Sequence, residues 1–166
     1  MAQGPRYRVH FRRRREGRTD YRQRQRLLRG RVPRAVVRLS HRNAIVQFIS
    51  YDEKGDRVMA TATSKELNKL GWNGSTGNIP AAYLTGYLAG LRAAANGVEG
   101  AVLDIGLKGP ARGSGVFAAL KGMLDAGIAI PHGEEVIPAQ ERINGAHIDE
   151  NMGKMIEEVK SRMEAK

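Results

Sequence analysis

The chain contains no cysteine, which excludes disulfides, thiolate zinc sites and thiol catalysis together. No run approaches the roughly 20 consecutive apolar residues that a membrane-spanning helix requires. Residues Met1 to Arg6 lack the apolar segment of a secretory signal. These absences lead to the expectation of a cytoplasmic protein with no membrane partner. The histidines His10, His41, His132 and His147 are scattered without an i, i+4 pair, so a histidine metal site is not expected. The first 31 residues have no lysine and no acidic side chain besides Glu16 and Asp20.

What that opening segment does have is arginine. Residues 1–31 hold 12 arginines and carry +10 of the net +11, while residues 32–166, with 16 Lys+Arg against 15 Asp+Glu, carry +1. A field so localised suits a polyanion. Arginine grips phosphate oxygens through a planar fork, and its flat face stacks on bases. Tyr7, Phe11 and Tyr21 are interleaved and add rings that stack on unpaired bases. Apolar residues are sparse here and like charges repel, so residues 1–31 are expected to be disordered alone and to order on a partner. The candidate RNA-binding residues of this arm are Arg6, Arg8, Phe11, Arg12, Arg13, Arg14, Arg15, Arg18, Tyr21, Arg22, Arg24 and Arg26.

At 166 residues the chain is long enough for one domain with a proper core. We divide it into the arm (1–31), an α/β core (32–132) and a C-terminal extension (133–166). Pro33–Ser40 alternates, with Ala35, Val37 and Leu39 on one side and Arg34, Arg38 and Ser40 on the other. Ala44–Tyr51 is rich in β-branched and aromatic residues, and Arg57–Thr63 alternates again. The three make an antiparallel meander. Its first turn (40–43) is basic, and His41 and Arg42 there join Arg34 and Arg38 of the first strand as candidate RNA contacts; its second (52–56) is mostly acidic and unsuited to RNA.

A helical turn at Lys65–Leu70 leads to a glycine-rich, flexible link flanked by Trp72, read as an anchor over the core. Asn78 is the expected N-cap of a long helix with Pro80 in its first turn. Its buried stripe runs through Ile79, Ala82, Tyr83, Gly86, Tyr87, Gly90, Leu91 and Ala94, and Asn96-Gly97 ends it. Ala101–Ile105 reads as a covered strand, and a strand–helix–strand crossover implies parallel pairing. Gly109–Gly115 then enters a second helix with Val116, Phe117, Leu120 and Leu124 buried and Gly127 closing it. Ile128–Ile130 reads as a last short strand. Residues 132–148 have no clear period, and 149–163 form an amphipathic helix with Met152, Ile156, Val159 and Met163 in line. Three antiparallel strands, a helix, a parallel strand and a helix match the ribonuclease H-like mixed sheet. No internal repeat is found.

The stretches Phe11 to Arg22, Pro33 to Arg38, Gly77 to Gly86, Val102 to Gly106 and Gly115 to Gly122 resemble, in order and spacing, the L-eighteen family of large-subunit ribosomal proteins that bind 5S rRNA. The likeness covers residues 6–132, and the tail through residue 166 resembles archaeal members. The resemblance implies the ribonuclease H-like core, no enzymatic activity and no cofactor. It implies docking of 5S rRNA into the central protuberance, with large-subunit (23S-type) rRNA and neighbouring ribosomal proteins as partners and no small-molecule substrate.

Two other readings compete. Metal-dependent nucleases share the ribonuclease H-like fold, but need several carboxylates converging on metal ions. Asp104 is a plausible strand carboxylate; the first strand and the long helix carry none, so Asp104 reads as a structural hydrogen-bond acceptor. The Gly109–Gly115 loop could cradle a phosphate beside Arg112, although a plain strand-to-helix turn explains it too. It lacks the Lys-Ser/Thr pair of a nucleotide-binding loop. The remaining reading is a non-specific architectural nucleic-acid protein, for which the basic arm alone suffices and an ordered core is superfluous.

Overall fold

The computed structural model describes residues 4–149 and 151–165. The arm contains two short helices, α1 (Arg12–Arg15) and α2 (Tyr21–Leu28), so the expectation of a structureless segment is corrected. Asp20 caps α2 by accepting the amides of Arg22 (2.9 Å) and Gln23 (3.2 Å), satisfying donors that a helix start leaves orphaned. Neither helix has a fully buried residue; in α2 the apolar Tyr21, Leu27 and Leu28 are half-buried. Arg31, at φ 52°, then turns the chain into the core.

Strands β1 (Arg34–Leu39), β2 (Ala44–Ser50) and β3 (Arg57–Thr63) form the expected antiparallel meander. β4 (Val102–Asp104) pairs with β1 in parallel, and the sheet order is β3-β2-β1-β4. Alternation puts Ala35, Val37, Ala44, Val46, Phe48, Ala60 and Ala62 on one buried face. Helix α3 (Ile79–Ala95) packs there, its start capped by Asn78 Oδ1 accepting from the Ala81 amide at 2.9 Å. A single buried stripe was expected, yet every residue from Pro80 to Gly90 is buried, and Ala93 rather than Ala94 continues inward. The reason is position: the sheet covers one side of α3, while α4 (Gly115–Asp125) and α6 (Met152–Glu164) cover others. Backbones touch where α3 crosses α4. A Cβ on Gly86 would lie 2.1 Å from the Ala119 carbonyl oxygen, and one on Gly122 2.1 Å from that of Tyr83.

In α4, Val116, Phe117 and Leu120 are buried as expected, with Met123 buried in place of the half-buried Leu124. Ile128–Ile130 does not form a strand; a single parallel bridge joins Gly100 to Ala129. Pro131 follows at once and has no amide proton to extend a ladder. Between lie a short 3-10 turn (Glu134–Val136) and α5 (Gln140–Ile143). α6 buries Met152, Ile156, Val159 and Met163, the expected line.

Polar ties complete its docking. Arg162 donates to the Leu70 carbonyl at 2.8 Å, Tyr87 Oη donates to Glu164, and Lys160 lies 4.7 Å from the Tyr87 ring centre. Burial and the Glu164 hydrogen bond push the Tyr87 hydroxyl up to about 12. The glycine-rich link is pinned rather than flexible. Trp72 is buried with its indole N–H donating to the Ser75 carbonyl (3.2 Å), and Thr76 Oγ1 donates to the Arg42 carbonyl (2.5 Å). Among the described residues, no helix is long and apolar enough to cross a membrane.

Candidate nucleic-acid interface

Arg34 and Arg38 lie on the sheet face opposite α3, and the arm lies against part of that face. One cavity of about 490 Å³ is lined jointly by arm and sheet, including Arg13, Arg18, Tyr21, Arg24, Leu27, Arg34, Arg38, Asp56 and Asp104. Its floor is a chain of alternating charges. Arg24 of α2 makes two hydrogen bonds to Asp56, at 2.9 and 2.8 Å. Arg34 of β1 takes the same carboxylate at 2.6 Å and reaches Asp104 of β4 at 2.7 Å. Arg38 adds a longer contact to Asp104 at 3.3 Å and donates to its backbone carbonyl at 2.9 Å.

This arrangement corrects the reading of Arg34 as an outward RNA contact. Alternation does place it on the open face, but its side chain is only 4% exposed and spans two carboxylates. A buried guanidinium is tolerable when its charge is matched; both terminal nitrogens of Arg34 are used, while its Nε is buried without a hydrogen-bond partner. Asp104 accepts from Arg34, from Arg38 and from the Gly106 amide at 2.8 Å, which is the structural acceptor role read from the sequence. Asp56 was missed. It sits on the acidic turn read from the sequence as unsuited to RNA, and it binds Arg24 of the arm. The Arg24 hydrogen bonds hold its carboxyl below the usual carboxylate range against the opposing effect of burial, and the same hydrogen bonds raise the Arg24 guanidinium in return.

The other arm residues are placed as follows. Arg6, Arg8, Phe11, Arg12, Arg13, Arg14, Arg15, Arg18, Arg22 and Arg26 are exposed, and Tyr21 is half-buried. Phe11 and Tyr21 pack at a ring separation of 5.2 Å, which fixes α1 against the start of α2. Arg13 Nε donates to Thr19 Oγ1 at 2.9 Å. Glu16 lies 3.9 Å from Arg12 and 3.3 Å from Arg18 in exposed pairs that contribute little. The arm is therefore folded lightly on itself, with most of its guanidiniums outward.

His41 and Arg42 stand exposed on the β1–β2 turn, beside a shallow cleft shared with Asn68, Trp72, Asn73 and Thr76. Gly77 presses against this turn, since a Cβ there would lie 2.2 Å from the His41 carbonyl oxygen. Arg112 stands on the loop before α4 and meets Glu135 at 3.0 Å, with both side chains about three-quarters exposed. That pair is weak and free to exchange for another anion.

A ribonuclease H-like α/β domain with an arginine arm clipped along its open sheet face defines a class of protein built to meet a polyanion. A family model described as ribosomal large subunit proteins 60S L5 and 50S L18 matches residues 5–98 and 94–133. The large ribosomal subunit protein uL18 of Methanothermobacter thermautotrophicus is 53% identical over 158 residues, covering 95% of this chain and 82% of that relative. That of Methanococcoides burtonii is 55% identical over 152 residues, 92% of this chain and 88% of the relative. That of Aeropyrum pernix is 57% identical over 149 residues, 89% of this chain and 70% of the relative. The chain belongs to this family of large-subunit ribosomal proteins, whose members are structural constituents and not enzymes.

Proposed function

We propose that this protein binds 5S rRNA and helps attach it to the 23S-type rRNA of the large subunit in the central protuberance of the cytoplasmic ribosome, beside neighbouring ribosomal proteins. The observation that carries the reading is the arm: 12 arginines within residues 1–31, most of them turned outward from a segment fastened to an ordered core. Arg6, Arg8, Arg12, Arg13, Arg14, Arg15, Arg18, Arg22 and Arg26 supply phosphate contacts, and Phe11 and Tyr21 offer ring surfaces to unpaired bases. Arg38, His41, Arg42 and Arg112 supply further, weaker contacts from the core.

Competition at physiological salt tests this reading. The purified protein should prefer 5S rRNA to tRNA and to duplex DNA. Equal affinity for all three would return the protein to non-specific architectural binding.

A further inference from the structure

We propose that Asp56, on the turn between β2 and β3, is a positioning residue for RNA: it latches α2 to the sheet and so holds the arginine arm in its binding geometry. The inference rests on the reading of the arm as the RNA-binding surface. An eight-residue helix is marginal in water by itself, and α2 carries Arg22, Arg24 and Arg26 with no acidic residue in its first turn. None of its side chains is fully buried, and its apolar contact is limited to the half-buried Tyr21, Leu27 and Leu28. The two-pronged bond from Arg24 to Asp56 is the strong directional tie between α2 and the core. Both partners are largely shielded, with Arg24 30% and Asp56 25% exposed, so solvent weakens the pair less than a surface bridge.

The carboxylate is itself held. Arg34 grips it from the sheet and is anchored in turn by Asp104, so the latch runs through four side chains into β4. Arg24 then serves as a fastener, not as a phosphate ligand. Its neighbour Asp52 has no such role, because its carboxylate accepts the Lys54 amide within the turn.

Charge alone predicts the opposite sign. Removing a carboxylate from a protein of net +11 should strengthen its grip on a polyanion. The latch predicts weaker binding, because an undocked arm has to be ordered at the moment of association.

The test compares Asp56→Asn, Arg24→Gln, their double variant and Asp52→Asn as the charge control, reading backbone NMR order parameters of α2 in the free protein and affinity for 5S rRNA. In both single variants the order parameters should fall from roughly 0.85 towards 0.6 or below. Affinity should drop about tenfold, the double variant should be no weaker than either single one, and Asp52→Asn should bind at least as tightly as the parent. Unchanged α2 order in Asp56→Asn overturns the latch whatever happens to RNA binding. Additive losses in the double variant overturn it too, making Arg24 an independent contact. If Asp56→Asn unfolds by stranding Arg34, Arg24→Gln, which alters only the arm, carries the same expectations and the same power to refute. A parent protein with no preference for 5S rRNA would sink the functional reading, while the order parameters would still decide the latch.

Discussion

Helices α2 and α3 are held in place by opposite physics. α2 has no buried residue, caps itself with one aspartate and fastens to the sheet through one arginine. α3 is buried along 11 successive residues, Pro80 to Gly90, and carries a single charged side chain, Arg92. Its close approach to α4 depends on glycines that bring backbone onto backbone. The first helix is organised by charges that phosphate can match and salt can screen; the second by packing that neither touches. Binding and folding are thereby assigned to different parts of the chain, and each can be perturbed with little effect on the other.

The largest expected effect comes from deleting residues 1–31. If six to ten arginines neutralise phosphates, affinity for 5S rRNA should fall about a thousandfold or more, and the plot of log K against log salt should flatten by several units, at roughly 0.7–0.9 per contact. Thermal unfolding should stay cooperative, because Arg34 keeps both Asp56 and Asp104 after Arg24 is gone. A truncated protein with the full salt slope would move the binding surface onto the core and dissolve the comparison.

The mirror experiment is Gly86→Ala. The added carbon would lie 2.1 Å from the Ala119 carbonyl oxygen, a backbone atom that cannot swing aside, so α3 and α4 must separate. Overpacking of this kind costs about 3 kcal/mol, read as a lowered denaturant midpoint with the urea slope unchanged. Affinity per folded molecule should hold, since no arm residue meets this crossing.

Much of this division was legible in the residues. Period-two and period-3.6 patterns located the meander and the stripe Met152, Ile156, Val159, Met163, because those elements present one apolar face to the core. The same spacing and the Asn78 cap located α3, but not its burial on all sides, because a stripe is a signature of one-sided burial and α3 is surrounded. Arg34 was placed on the correct face by alternation, but nothing in its vicinity announces that the arm folds over that face. Its partners Asp56 and Asp104 lie 22 and 70 residues away, beyond any local spacing rule. Composition likewise described residues 1–31 as repelling arginines and gave no weight to a lone aspartate on a distant turn. Charge density is visible in a window of sequence, whereas pairing across the fold is visible only when the elements are assembled.

The smallest effect tests whether packing alone holds the core's last helix, and it concerns Tyr87. Its hydroxyl donates to Glu164 near the end of α6, with Lys160 over the ring and Tyr83 and Asp125 nearby. Removing the hydroxyl in Tyr87→Phe leaves the ring in place and takes away one hydrogen bond to a charged acceptor, which should cost about 1 kcal/mol. The pH dependence identifies the bond. A phenol whose ionisation is raised from 10 to about 12 in the folded protein contributes stability that is fully present below pH 10. That contribution is lost as pH rises towards 12, because the unfolded chain releases the proton first. Tyr83 is raised as well, by burial and then by its hydrogen bond to Asp125, so the parent should lose stability in alkali through both rings. Tyr87→Phe should show a shallower alkaline fall, measured by urea unfolding between pH 9 and 11, with little change at neutral pH beyond the lost bond. An identical alkaline fall in the two proteins would mean that the Tyr87–Glu164 bond adds nothing to the docking of α6, leaving it to Met152, Ile156, Val159 and Met163 and to the Arg162 bond to the Leu70 carbonyl.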